Sequence, residues 1–383
     1  MKRIFWGVMG EGLGHVTRTL AVIEHLPDCE VHIFTSGKAL SFLTGLGYPH
    51  LHAVDGLMFR YRNSRVAQFA SLRGAIRFFL RARGRNVRQI LAAADRWHPQ
   101  LFVTDFEPSL PVAARQWGGP LVSVDNQHRF SHCSVRDLPW GLRAYALFVG
   151  QYIHWALGQP TVAVVATFCP EYLQPQAANA VVVDAVIRPA VAALPTTDGG
   201  FVLAYVRDSI RAPLLACLDR LERRCVVYGA RPEDGRPGLE PRPLSPSFVN
   251  DLARCTCVVS TAGHQLISEA RCLGKPLLAI PEPGQYEQYI NAFYLEQVGG
   301  GRRCDLKGLS AGLVQDFADR AAPQPRRPDR GAREVAAIIR AQLQAARTTK
   351  PRARLAPIPS VDQVLASLVP RRPVVLGPRE LQR

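Results

Sequence analysis

Short apolar runs alternate with amphipathic stretches along most of the chain. Arg3–Met9, Val31–Phe34, His50–Val54, Leu101–Thr104, Pro120–Val124 and Val162–Thr167 are rich in aliphatic and aromatic residues and show little alternation. That pattern predicts strands buried on both faces of a parallel sheet. Between them Val16–Leu26, Gly37–Leu46, Ser109–Trp117 and Gly141–Leu157 read as helices. The pattern restarts at Phe201. Strands are predicted at Phe201–Val206, Cys225–Tyr228, Cys257–Val259 and Pro276–Ile280, helices at 209–221, after Gly263 and at Gln285–Val298, and a last helix at Ala332–Ala346. Alternation of this kind predicts an α/β protein of two doubly wound, Rossmann-like domains facing a central cleft. The expected divisions are 1–180, a linker at 181–200 that includes a strand candidate Val181–Ile187, 201–346, and a Pro- and Arg-rich tail at 347–383. The tail has little periodicity and is expected to be mobile, with a short helix candidate at Val361–Leu368. Residues 230–247, rich in Pro, Gly and Arg, are expected to form a loop.

Polar residues cluster where the strands end, the edge at which open α/β sheets bind ligands. Thr261, Ala262 and Gly263 turn one strand into a helix whose free N–H groups and positive dipole end suit a phosphate. Glu269 lies six residues beyond Gly263, placed to accept from a pair of ribose hydroxyls. Glu287 and Gln288 open the next helix with groups suited to sugar hydroxyls, and Asn291 follows one turn later. In the first half, Gly10-Glu11-Gly12-Leu13-Gly14-His15 joins a strand to a helix, and its glycines permit close approach of a ligand. The nicotinamide fingerprint G-x-G-x-x-G is not met, because the third glycine comes one place early, although Glu30 could serve as its ribose acid. Asp105-Phe106-Glu107 and Asp125-Asn126-Gln127-His128 end two further strands on the same side.

Gly263, Glu269, Ala270, Gly274 and Pro276, followed by Pro281, Glu287-Gln288 and Asn291-Ala292, resemble the donor motif of GT-B glycosyltransferases. The similarity is to the peptidoglycan N-acetylglucosaminyltransferase-like group of bacteria and archaea. Thr261 stands where secondary-product glycosyltransferases carry a His, and Glu287 where they carry Asp. The resemblance implies that Gly263 and His264 lie near the donor diphosphate, Glu269 on the ribose, and Glu287 and Gln288 on the sugar. It also places Arg207 and Ser209, in the first loop of the second domain, near the phosphates, with Gly12 and Gly14 facing the donor. In such enzymes the first Gly-rich loop often ends in His. His15 is therefore the candidate general base, because an imidazole near neutrality can take a hydroxyl proton; His128 is the runner-up. Asp105 or Asp125 could orient the base, and Glu107, Asp125 and Asn126 are candidate acceptor contacts.

The expected reaction is a metal-independent, inverting transfer of a hexosyl or N-acetylhexosaminyl group from a nucleotide diphosphate sugar, UDP-linked, to a hydroxyl acceptor. No cofactor is expected. A nucleotide-sugar 2-epimerase and an inactive nucleotide-sugar-binding module are the alternatives. The chain contains no Asp-x-Asp triplet, HExxH or paired CxxC, so no metal site is expected.

Charge adds one refinement. The net charge is +16, but residues 60–96 hold ten arginines and one acid, and 324–383 hold thirteen basic residues and four acids. The rest is near neutral, which argues against a nucleic-acid partner with one continuous basic face. In 60–96, Phe69, Leu72, Ile76, Phe79 and Leu80 recur at helical spacing beside Arg73, Arg77, Arg81 and Arg88. This basic amphipathic segment, or the tail, could touch an anionic membrane carrying a lipid-linked acceptor. Nine scattered cysteines read as reduced thiols, so a cytoplasmic place, peripheral on the inner membrane face, is expected.

Overall fold

Two all-parallel sheets carry the fold in a computed structural model. It describes residues 1–346 apart from 58–60, 63–64, 67, 170–172, 175–176, 244, 246 and 328–329. The tail 347–383, with the helix candidate Val361–Leu368, lies outside the described residues, as do the side chains of Phe69 and Leu72.

The first sheet contains β1 (Lys2–Val8), β2 (Cys29–Thr35) and β3 (Leu51–Ala53). A two-residue hairpin, β4 (Tyr61–Arg62) with β5 (Arg65–Val66), stands apart from it. The sheet continues with β6 (Leu101–Asp105), β7 (Leu121–Asp125), β8 (Val162–Thr167) and β9 (Ala180–Asp184). Its order is β3-β2-β1-β6-β7-β8-β9. The second sheet contains β10 (Phe201–Tyr205), β11 (Arg224–Tyr228), β12 (Leu239–Arg242), β13 (Cys257–Ser260), β14 (Leu277–Ala279) and β15 (Gly301–Arg303), in the order β12-β11-β10-β13-β14-β15. Central strands such as β6, β7 and β13 are buried along their whole length, as expected for strands covered on both faces.

In each sheet the chain reverses direction of growth once, between β1 and β6 and between β10 and β13. Crevices form beyond the C-terminal ends of strands at such switch points. Both switch points open onto one cleft: a Cβ built on Gly14, in the helix after β1, would lie 3.6 Å from Gln265 Cβ, in the helix after β13.

Three elements depart from the sequence reading. The linker strand candidate is β9, the seventh strand of the first sheet. β12 lies in the expected loop; its sequence Leu-Glu-Pro-Arg has no apolar alternation, and it survives as an edge strand, where a proline is tolerated. The helix Gly331–Ala345, placed in the second half by its position in the sequence, packs on the first. Ala332, Val335, Ala336, Ile339 and Leu343 join the core built on Ile4, Trp6 and Val22, and Arg340 donates to the His25 carbonyl. The chain therefore crosses between the domains twice.

Candidate active site

The helix Leu13–Ile23 starts from Gly12, so His15 sits in its first turn rather than at the end of a loop. Its Nδ1 lies 2.7 Å from Asp105 Oδ1 at the end of β6. Arg18, one turn along the same helix face, holds the other side of that carboxylate: its Nε donates to Asp105 Oδ2 at 2.9 Å and its Nη2 to Oδ1. Burial would push the Asp105 carboxyl up, but the Arg18 and His15 charges outweigh it and hold it below the usual carboxylate range. An ionised carboxylate only accepts, so the Asp105 contact favours the His15 tautomer with its proton on Nδ1, which leaves Nε2 to accept. Of the two aspartates that could orient the base, Asp105 is the one in contact. Phe106 follows with a φ of +60°, a left-handed conformation uncommon outside glycine and concentrated at functional sites, and its ring stacks beside His15.

Asp125, Glu107 and His128 face inward. Asp125 is completely buried, and its Oδ1 accepts the His128 backbone N–H at 2.6 Å. Burial, reinforced by the Asp105 charge, pushes its carboxyl up to about 7. Burial and the neighbouring His154 hold His128 down to about 3. With 1% of its surface exposed, His128 has neither the access nor the basicity to deprotonate an acceptor. Glu107, expected on the acceptor, accepts backbone N–H groups of Ser109 and Leu110 and so caps the helix Leu110–Trp117. Glu107 thus spends its oxygens on backbone N–H groups, and Asp125 gives one oxygen to the backbone while Oδ2 stays buried without a hydrogen bond. Asn126 does reach the cleft, where its Nδ2 donates to Glu287 Oε1 at 3.0 Å.

On the opposite wall the helix His264–Cys272 starts from Gly263 at the end of β13. Thr261 and Ala262 are buried beneath it, and Asn291 Nδ2 fixes the Ala262 carbonyl at 3.1 Å. His264 is the first helical residue. Its ring nitrogens are buried without a partner, and burial together with the Arg18 and Arg129 charges holds its pKa well below the ordinary imidazole value. A neutral ring at this tip leaves the helix N–H groups and dipole as the attraction for an anion. Glu269 is 2% exposed; Arg188, from the first interdomain crossing, grips both its oxygens at 2.8 Å, and Gln265 Nε2 adds a third bond at 2.9 Å.

Gln288 turns inward onto Glu282, donating to its Oε1 at 2.7 Å and accepting its backbone N–H at 2.9 Å. Ser209 and Arg207 meet the same carboxylate, at 2.5 and 2.9 Å. Glu282, between Pro281 and Pro283, therefore ties the loop after β10 to the end of β14. Gln288, expected on the sugar, is committed to this hub. Glu287 instead points across the cleft to Asn126 and Gln127. Glu30, the acid a dinucleotide site would need, lies near the start of β2 bonded to Arg3 and His32, at the end of the strand away from the cleft.

Residues 2–322 match the family described as Glycosyl transferase family 1. The chain belongs to this family. It is a glycosyltransferase of the GT-B fold. A similar curated protein is the UDP-N-acetylglucosamine–N-acetylmuramyl-(pentapeptide) pyrophosphoryl-undecaprenol N-acetylglucosamine transferase of Chelativorans sp. (strain BNC1). The two are 24% identical over 328 residues, 77% of this chain and 80% of that protein. Among solved structures, Acinetobacter baumannii MurG is similar with a TM-score of 0.54 and 15% identity, over 89% of this chain and all of that one. The spinosyn rhamnosyltransferase SpnG, complexed with thymidine diphosphate, also has a TM-score of 0.54, with 16% identity over 90% of this chain and 96% of the other.

Three polar residues of this glycosyltransferase escaped the sequence reading, Arg18, Arg188 and Glu282, and Gln127 stood in its strand-end cluster without an assigned role. Arg18 carried a signal in its place three residues after His15, one turn along the same helix face. Glu282 carried another, as an acid between two prolines at a strand end. Arg188 carried none, since its partner lies 81 residues away, and the partner of Gln127, 160 residues away, was equally hidden.

Proposed function

We propose that this glycosyltransferase moves a hexosyl or N-acetylhexosaminyl group from a UDP-linked donor to a hydroxyl acceptor in one inverting displacement. The observation that carries the proposal is the His15–Asp105–Arg18 cluster, set opposite the N-terminus of the helix His264–Cys272 across one cleft. His15 Nε2 takes the acceptor hydroxyl proton while that oxygen bonds to the anomeric carbon. The bond from this carbon to the diphosphate breaks, and the diphosphate leaves with the electron pair toward the helix tip at Gly263 and His264. Asp105 steadies the imidazolium that forms, and Arg18 keeps Asp105 ionised. No protein carboxylate need attack the sugar, which is why inversion is the expected outcome.

The donor role of Glu269 is compatible with its bonds to Arg188 and Gln265. An ionised carboxylate has about four lone-pair sites, so a ribose hydroxyl can still donate to it. Glu287 is the polar group best placed for the sugar. UDP as the nucleotide is supported by the donor named for the Chelativorans relative; the thymidine diphosphate of SpnG marks the competing choice. Thermal-shift measurement with UDP, thymidine diphosphate and NAD tests the assignment. UDP should raise Tm most and NAD not at all. A larger shift with thymidine diphosphate would overturn the nucleotide, and a shift with NAD alone would overturn the donor site.

A lipid-linked acceptor at a membrane surface is supported by an exposed patch on the first domain. The helical segments Gln68–Arg77, Phe78–Ala82 and Arg83–Trp97 run on without a break and pack on the helix Trp140–Leu157 through Phe79 and Trp155. They leave Ile76 and Leu80 on one side, and Trp140, Leu147 and Phe148 on the other, exposed. Arg73, Arg77 and Arg81 are exposed on the same run of helix, and Arg136 and Arg143 close in sequence to Trp140. Exposed apolar side chains and arginines carried on two packed helices suit the interface of an anionic bilayer. No helix among the described residues is long and apolar enough to cross one.

A further inference from the structure

β2 and β3 lie side by side with Phe34 opposite His52. Glu30 and His32 share one face of β2, being two residues apart, and the chain entering β3 brings His50 and His52 to the same face. One ligand atom from each of Glu30, His32 and His50 can be chosen so that all lie within 4.8 Å of one another. His32 Nε2 is 2.8 Å from Glu30 Oε1, and the His32 and His50 rings stack at 4.6 Å. His32 Nδ1, the nitrogen facing away, lies 3.0 Å from His52 Nε2.

We propose that Glu30, His32 and His50 bind a zinc ion that clips β2 to the chain entering β3. Two imidazoles and a carboxylate form a borderline nitrogen and oxygen donor set, which favours late first-row divalent cations over magnesium or calcium. Ligands on a tetrahedral zinc lie roughly 3.3 Å apart for bonds of about 2.0–2.1 Å, so small side-chain rotations close the three onto an ion, and water completes the tetrahedron. His52 supplies the outer partner such sites use: it accepts the Nδ1–H of His32 and so turns Nε2 toward the metal. His32 is fully buried and walled by Trp97, with ring centroids 4.7 Å apart, which fixes its orientation. Arg3 is the opposing charge. Its Nε sits 3.3 Å from Glu30 Oε2, so it engages the outer oxygen and leaves Oε1 for the ion. The site lies at the end of β2 away from the cleft, so its role is to hold structure and it takes no part in transfer.

The test is calorimetric titration of chelator-stripped full-length protein with zinc chloride, in buffer free of imidazole and phosphate. One saturable equivalent is expected, together with a rise in Tm. Cobalt should fill the same site and give the visible absorption of a tetrahedral ion. His50→Ala should lower affinity at least tenfold. Glu30→Gln, close to isosteric, should do the same and serves if His50→Ala melts early. His52→Phe should weaken binding about 10–100-fold, and His15→Ala should leave uptake intact. Absence of a saturable equivalent in the unaltered protein, or uptake unchanged in both His50→Ala and Glu30→Gln, overturns the proposal.

Discussion

At the scale of single residues the transferase separates its carboxylates by environment. Asp105 is kept ionised by Arg18, whereas Asp125, one strand over, is raised to about 7. Replacing His15 by Ala should cut kcat by about 10²–10⁴ while leaving Tm near its original value; transfer at the original rate in that variant would remove His15 from the mechanism. Asp125 gives a prediction with a definite sign. Between 3.8 and about 7 the folded protein holds a proton on Asp125 that the unfolded chain has released. Stability is therefore greatest below that window and declines as pH rises through it. Asp125→Asn keeps an oxygen for the His128 N–H and removes the buried charge. It should stabilise the protein near pH 8 by up to about 4 kcal/mol, at roughly 1.4 kcal/mol per pKa unit, and should have little effect below pH ~4. Urea melts at the two pH values check this. The sequence marked these residues as polar groups at strand ends, and that much held. It could not divide them into cleft and interior, because the partners that decide it stand far away in the chain: Arg18 is 87 residues from Asp105.

At the scale of elements, the strand–loop–helix junctions show what particular residues of the chain do. Gly274 follows the helix His264–Cys272 with a φ of +68°, and a Cβ there would sit 2.3 Å from the Gln324 carbonyl oxygen. Lys275 then donates from a buried ammonium to the Thr197 and Cys255 carbonyls, at 2.6 and 2.7 Å. Gly274→Ala should destabilise the protein by at least about 1–3 kcal/mol, read as a fall in the urea midpoint at unchanged slope. Glu107→Ala uncaps a buried helix start and should cost about 1–2 kcal/mol; a larger loss of transfer than of stability would restore an acceptor role to it. The long apolar strands and the helices between them were legible from periodicity. β12, β15 and the helix Ala311–Arg320 were not. The strands are three or four residues long and carry Arg, Glu or Pro, so neighbours rather than their own pattern make them strands. The helix follows in a stretch where no strand announced it.

At the scale of the molecule, the two halves meet through polar contacts, Asn126 to Glu287 and Tyr294 to Asp137, the paired rings of Tyr145 and Tyr286, and a buried apolar cluster in which Ile290 and Tyr294 join Phe130 and Ile153. Opening around a donor must shift this apolar contact as well as exchange the polar pairs. The exposed apolar patch predicts co-sedimentation with vesicles containing anionic lipid, lost when Leu80 and Phe148 are both replaced by Ser and weakened by salt; equal sedimentation of the variant would remove this face from membrane contact. The amphipathic helix was visible in the sequence as arginines beside an apolar stripe. Its partner helix Trp140–Leu157 was legible too, as Gly141–Leu157, but not its exposed side, because an apolar run alone does not say which side is left uncovered.

The returning helix Gly331–Ala345 has a consequence for how the halves can part. It packs on the sheet built from the N-terminal strands, so the chain joins the two lobes through two covalent tethers, one after β9 and one before Gly331. Nicking either one leaves the lobes joined. Swinging them apart must twist both tethers together, which confines the motion to rotation about a line through the pair. A gene cut after residue 200 would strip the first lobe of Ile339 and its neighbours and leave an oily trough along that lobe, so neither fragment should be well behaved until the two are expressed side by side.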